Sequence, residues 1–285
     1  MKLGAVNLRG TFTSMNLRSA LLLLPLAALA IGCAGEEAAK KDEHEGHAHA
    51  KPPAPSADAP KVTKLEIKDV KVGTGQAAEE GDLLLMQYTG TRLDGKQFDT
   101  NDPEKKEGAT PFSFVLGEGS VIKGWDQGLK GMKVGGEREL LIPPDLAYGD
   151  QGAGEDIPPN TPLKFEVKLL DVVKKGEEGV YDKTELKAGT GPVVKQGSKV
   201  SLHYTGSLVN GKKFDSSLDR KQPLEIEVGK TELIPAFTAA LPGMRQGGKY
   251  RLRIPPAVGY GVYGRMPEIP GNSVLIFEIE ILKVQ

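Results

Sequence analysis

One block of sequence occurs twice in this chain, and that duplication limits the fold more than any other feature. Met86-Gln87-Tyr88-Thr89-Gly90, then Gly95-Lys96-Gln97-Phe98-Asp99, returns as Leu202-His203-Tyr204-Thr205-Gly206, then Gly211-Lys212-Lys213-Phe214-Asp215. Tyr204 follows Tyr88 by 116 residues. Farther on, Ala147-Tyr148-Gly149 pairs with Gly259-Tyr260-Gly261, Ile157-Pro158 with Ile269-Pro270, and Phe165 with Phe277, all 112 residues apart. The first copy therefore carries four extra residues in the stretch Thr100 to Pro111. The interval is far longer than the repeats of solenoids and propellers. It describes two whole domains of one fold, and 285 residues accommodate two domains of ordinary size.

The two copies occupy 61–174 and 181–285, with 175–180 as a linker. Ahead of them lie two segments of other character. Residues 1–32 read as a targeting signal: Lys2, Arg9 and Arg18 are basic, and Ala20 to Ile31 is apolar but shorter than the ~20 residues of a membrane-spanning helix. Met15 is an alternative start. The run ends in Ala30-Ile31-Gly32-Cys33, and Cys33 is the chain's one cysteine. This resembles a bacterial lipoprotein signal, which implies diacylation of Cys33 and a lipid anchor in the membrane. The alternative is an ordinary secretory signal with an incidental cysteine. Ala34 in place of an aspartate fits the outer membrane, facing the periplasm. Residues 33–60 contain, after Cys33, no large apolar side chain, so they read as a disordered tether. His44, His47 and His49 lie in it, either as a metal-scavenging tract or as part of a solvated spacer. With a net charge of −1, the chain has no electrostatic footprint for nucleic acid.

Within each copy, alternating apolar residues and turn signals dominate. Leu83–Tyr88, Glu137–Ile142 and Phe165–Val173 read as strands in the first copy, and Lys199–Tyr204, Lys249–Ile254 and Phe277–Val284 in the second. Gly73-Thr74-Gly75 and Gly189-Thr190-Gly191 read as turns. One stretch per copy has helical spacing: Val121, Trp125, Leu129 and Met132, then Leu233, Phe237, Leu241 and Met244. The pattern predicts an α+β class with two like domains, each an antiparallel sheet wrapped around one short helix.

Taken in order, Tyr-Thr-Gly, Gly-Lys-x-Phe-Asp, Val121-Ile122-Lys123-Gly124-Trp125, Ala-Tyr-Gly, Ile157-Pro158-Pro159 and a Phe-bearing last strand resemble the FKBP-type peptidyl-prolyl cis-trans isomerases over both copies. The resemblance implies a proline pocket in each. In the first, Trp125 is its floor, with Tyr88, Phe98 and Phe165 as walls. The Ile122 N–H and the Tyr148 hydroxyl bind substrate carbonyls, and Asp99 orients Tyr88. Phe112, Val121 and Ile157 complete the lining. In the second, Tyr204, Phe214, Asp215, Leu233, Ile234, Tyr260, Ile269 and Phe277 correspond, Phe237 replaces Trp125, Leu224 replaces Phe112, and Ile226 replaces Phe114. Arg220 matches a family position that the first copy's insertion obscures. The implied partners are proline-containing polypeptide segments and macrolide inhibitors of the rapamycin type, with neither cofactor nor metal. The implied role is protein folding in the bacterial cell envelope, with a low-turnover chaperone or binding module as the alternative.

Any one of these aromatic residues, taken singly, reads first as a core residue. Clustered with tyrosine hydroxyls and an aspartate, they describe a site, because buried polar ends need partners. Hydrolytic machinery is missing from the motifs. His203 is the one histidine within the two copies and, next to Tyr204 on an alternating strand, is expected to face away from the tyrosine pocket. Asp99 and Asp215 each lack a second carboxylate for paired acid–base work.

Overall fold

The computed structural model describes residues 7–11 and 62–285. The first copy runs β2 (Glu66–Lys71), β3 (Leu83–Arg92), β4 (Gln97–Thr100), β5 (Phe112–Val115), α1 (Lys123–Gly128), β6 (Glu137–Ile142) and β7 (Leu163–Val173). The second repeats it as β8 (Val180–Lys187), β9 (Lys199–Leu208), β10 (Lys213–Ser216), β11 (Leu224–Glu227), α2 (Pro235–Ala240), β12 (Lys249–Ile254) and β13 (Leu275–Val284). The remaining strand is β1 (Asn7–Thr11).

All pairings are antiparallel. The first sheet has the order β2-β6-β7-β3-β4, with β5 also on β3; the second has β8-β12-β13-β9-β10, with β11 on β9 and β1 outside β8. This is the α+β arrangement expected. Equivalent strands meet in equivalent register: Gly90 lies opposite both Phe165 and Asp99, and Gly206 opposite both Phe277 and Asp215. Burial alternates strictly along β6, so one face of the sheet forms the core and the other meets solvent.

The helices are shorter than the spacing predicts. α1 ends at Gly128 and α2 at Ala240, six residues each, so Val121 precedes α1 while Leu129 caps it and Met132 lies beyond. Met132 is buried for another reason: its carbonyl accepts the Ala78 N–H at 2.8 Å, in a bridge between loops. α1 lies close on β6 because of its glycines. A Cβ on Gly124 would stand 2.5 Å from Ile142 Cγ2, and one on Gly128 would stand 2.8 Å from Leu140 Cδ2. Four of the six expected strands, conversely, run longer than expected. β3 continues to Arg92, since β7 pairs with it along its whole length.

β7 ends at Val173 and β8 begins at Val180, the last residue of the expected linker. The two copies touch through Leu85, Val173 and Val274, all buried, and through Arg253 on β12, which makes a two-pronged pair with Asp171 on β7 at 2.7 and 2.9 Å. The expected signal, Cys33, the tether and its histidines lie outside the described residues, except that the backbone of Asn7–Thr11 pairs with β8.

Candidate active site

The first copy brings its candidate residues from five elements of the chain into one aromatic box. Tyr88 comes from β3, Phe98 and Asp99 from β4, Phe112 from β5, Trp125 from α1 and Phe165 from β7. Trp125 is buried at the centre. Tyr88 and Phe165 stand nearly perpendicular to it, with ring centroids 5.2 and 5.3 Å away. Phe98 meets Phe165 edge-on at 5.5 Å, and Phe112 meets Trp125 at 6.0 Å with its own ring partly in solvent. Edge-to-face contacts of this kind add to plain area burial and hold each ring at a fixed angle. Val121 and Ile122 pack against the same cluster just ahead of α1, and Ile157 is buried in it from the long loop before β7.

Gly90 makes this box possible. A Cβ there would come within 2.5 Å of Phe98 Cζ and 2.9 Å of Phe165 Cε1, and the same holds at Gly206 with Phe214 and Phe277. The glycine of each Tyr-Thr-Gly motif is thus the surface on which two phenyl rings rest, a role the motif itself does not reveal.

The polar groups are arranged around the rim. Tyr88 donates its hydroxyl hydrogen to Asp99 Oδ2 at 2.5 Å, while the Thr100 N–H donates to Oδ1 at 2.8 Å. Burial, then the bond to Asp99, pushes the Tyr88 hydroxyl well above the ordinary tyrosine range. Tyr148 is also raised, chiefly by burial, with Asp99 adding to it, although its ring edge remains exposed. Both therefore stay protonated donors at neutral pH. Ile122 is the N-cap of α1 at φ −59°, ψ 145°, which leaves its own N–H outside the helix ladder and available to a ligand.

The second copy encloses a cavity of about 820 Å³ bordered by the expected Tyr204, Phe214, Asp215, Leu224, Leu233, Ile234, Phe237, Tyr260, Ile269 and Phe277. Phe237 and Phe277 meet at 5.2 Å, and Phe214 and Phe277 at 5.6 Å. Ile226 is buried in the core. Four further residues line this cavity: Arg220, Glu232, Arg265 and Glu268. Arg220 binds both partners of the rim pair. It is ion-paired to Asp215 and donates to the Tyr204 hydroxyl at 2.8 Å. Burial alone would raise Asp215, but the bonds from Tyr204 and Arg220 outweigh it and hold the carboxyl below its ordinary value. His203 lies off this cavity, with Nδ1 3.0 Å from Ser217 Oγ.

The insertion of the first copy does not supply an equivalent arginine. Asn101 ties its two ends to β3: its Oδ1 accepts the Tyr88 N–H at 2.7 Å, and its Nδ2 donates to the carbonyls of Met86 and Thr110 at 2.9 and 3.0 Å. The loop then turns to the second copy, where the carbonyls of Gly108 and Ala109 accept from Lys212 and Asn210.

Comparison with known proteins agrees with this geometry. The family model of FKBP-type peptidyl-prolyl cis-trans isomerases matches residues 74–170 and again 191–282, about two thirds of the chain. Peptidyl-prolyl cis-trans isomerase FKBP10 of Homo sapiens is 39% identical over 204 residues, covering 72% of this chain and 34% of its own length. FK506-binding protein 4 of Rhizopus delemar is 51% identical over 116 residues, 39% of this chain and 29% of its own. The crystal structure of FkpA from Escherichia coli is 38% identical over 40% of this chain and 51% of its own, with a TM-score of 0.35. The chain thus spans about a third of the length of the curated relatives it matches. With a match in each copy, the chain belongs to the FKBP-type peptidyl-prolyl cis-trans isomerase family and carries two domains of it in tandem.

Proposed function

We propose that this chain catalyses cis–trans isomerisation of X–Pro bonds in polypeptide segments, that each copy holds one site, and that the protein is lipid-anchored in a bacterial cell envelope, where it assists folding. The observation that carries the catalytic reading is the buried aromatic box around Trp125, with the Ile122 N–H and the Tyr148 hydroxyl at its rim. The barrier to rotation is loss of amide resonance, and unaided exchange takes roughly tens to hundreds of seconds. The planar amide is more dipolar than the twisted one. An apolar, water-poor cavity therefore disfavours the ground state, while the Ile122 N–H and the Tyr148 hydroxyl hold the carbonyls in the twisted geometry. Binding that favours the transition state suffices. A rate gain of about 10⁴ to 10⁵ requires only about 5–7 kcal/mol. The same box suits macrolides of the rapamycin type, which present a proline-like ring.

The envelope reading rests on the basic and apolar run that ends at Cys33. Two measurements test the whole. A proline-peptide assay on the full chain should show acceleration that a rapamycin-type macrolide abolishes; a rate equal to that of buffer rejects catalysis and leaves a binding module. Cys33→Ser should move the protein from the membrane to the soluble fraction, and wild type already soluble after export rejects the anchor.

A further inference from the structure

The loops that border the first copy's aromatic box and the second copy's cavity share their glycine turns and closing bridge and differ in most of their exposed side chains. One runs from Tyr148 to Ile157, the other from Tyr260 to Ile269. Gly149 and Gly152 have φ of 57° and 65°, and Gly261 and Gly264 both have 65°. Ala153 and Ile157 exchange hydrogen bonds at 2.8 and 3.1 Å, as do Arg265 and Ile269 at 2.7 and 3.0 Å. On this common frame the first loop exposes Asp150, Glu155 and Asp156 and, apart from Tyr148 at its base, no apolar side chain larger than alanine. The second exposes Val262, Tyr263 and Met266, at 65%, 88% and 69% of their surface, with Arg265 beside them. Single exposed apolar residues are ordinary, but three on one short loop at a cavity mouth form a patch.

The deeper charges follow the same division. Asp215 is neutralised by Arg220, and Arg265 faces the second cavity. No cation pairs with Asp99 among the described residues, and Lys105 in the insertion donates instead to Thr89 Oγ1 at 3.1 Å. With Asp156 paired to Lys96 at 2.8 Å, Asp150 and Glu155 leave the first loop acidic, whereas the second loop sets Arg265 beside Glu268 inside an apolar edge.

We infer that the two copies divide substrates by the residues flanking the proline: the first takes segments bearing lysine or arginine there, and the second takes segments bearing large apolar side chains. This rests on the reading of the first copy's box and the second copy's cavity as proline sites. Exposed charges act weakly and through salt, so the expected discrimination is several-fold.

The test uses the full chain and two peptides that share one X–Pro core, one flanked by lysines and one by leucine and phenylalanine. Asp150→Asn with Glu155→Gln should lower kcat/KM for the lysine-flanked peptide about three- to tenfold at low salt and leave the apolar one unchanged. The difference should vanish at high salt. Tyr263→Ser with Met266→Ser should do the reverse, at all salt concentrations. These side chains are exposed, and circular dichroism checks that each variant is folded. If both variants move the two peptides alike, or neither moves either, the division of substrates is wrong. If wild type accelerates no peptide, the isomerase reading fails by itself. Calorimetric titration of the same peptides then decides the selection, which requires the same ordering in Kd.

Discussion

The residue that separates the two sites is the floor. Trp125 is 4% exposed and its indole N–H is buried without a partner among the described residues; Phe237, also 4% exposed, has no such group. An orphaned buried donor costs about 1–3 kcal/mol, which offsets part of what the larger ring contributes by burial. Trp125→Phe should therefore change stability by no more than about 1 kcal/mol, the lost indole packing nearly cancelling the removed orphan. Catalysis should suffer more, because the proline ring loses contact area: kcat/KM of the first site should fall about three- to tenfold. Denaturant unfolding followed by circular dichroism gives the first quantity, and the peptide assay gives the second. A stability loss above about 3 kcal/mol, in the range of a large core truncation, would show that the indole N–H is not the burden its surroundings imply.

At the scale of elements, the sequence carried the strands well and the helices poorly, for a physical reason. Strand periodicity in β6 and β12 reports a sheet with one buried face, and both were read to the residue. The helical spacing of Val121 through Met132 was real burial, but only its middle is helix; Leu129 closes the last turn and Met132 belongs to a bridge between loops. Apolar period alone does not separate those causes. The aromatic members of the box were legible because the motif occurs twice. Gly90 and Arg220 had no legible role, since a missing Cβ matters only against Phe98 and Phe165, and Arg220 reaches Tyr204 across 16 residues of sequence. The insertion was equally silent about Asn101. Its amide satisfies three backbone groups, whereas Ser217 in the second copy accepts the Tyr204 N–H at 2.8 Å and otherwise lies 3.2 Å from the Tyr204 carbonyl and 3.0 Å from His203 Nδ1. Asn101→Ala should therefore cost about 2–3 kcal/mol in chemical denaturation, and Ser217→Ala about 1 kcal/mol. Equal losses would mean that water replaces the Asn101 amide at little cost.

Over the whole molecule, the two copies diverge where they meet. Arg253 occupies the position of Leu141, and its partner Asp171 that of Lys283, so the ion pair has no counterpart within either domain. It is a well-made one: Nε and Nη2 of Arg253 each donate to Asp171, Nη2 also donates to the Val172 carbonyl at 2.8 Å, and the two side chains are 24% and 14% exposed. Removing one partner leaves the other charge with little solvent, which costs more than the intact pair contributes. Arg253→Met preserves the aliphatic length and should weaken the interface by about 2–4 kcal/mol, discounted from the fully buried case for the residual exposure. Limited proteolysis within 174–179 should then accelerate by about tenfold or more, because cleavage follows the open population, while Trp125 emission stays native. Asp171→Leu added to Arg253→Met should restore part of the resistance, since Asp171 is then no longer stranded while Asp182, 3.5 Å from Arg253 in the native protein, still loses that contact. Unchanged cleavage in the single variant would mean that Leu85, Val173 and Val274 hold the domains by themselves. If each copy holds a proline site as proposed, this joint bears on function, because two linked sites raise the effective concentration most for polypeptides whose prolines span their separation; with Arg253 removed, that length dependence should flatten.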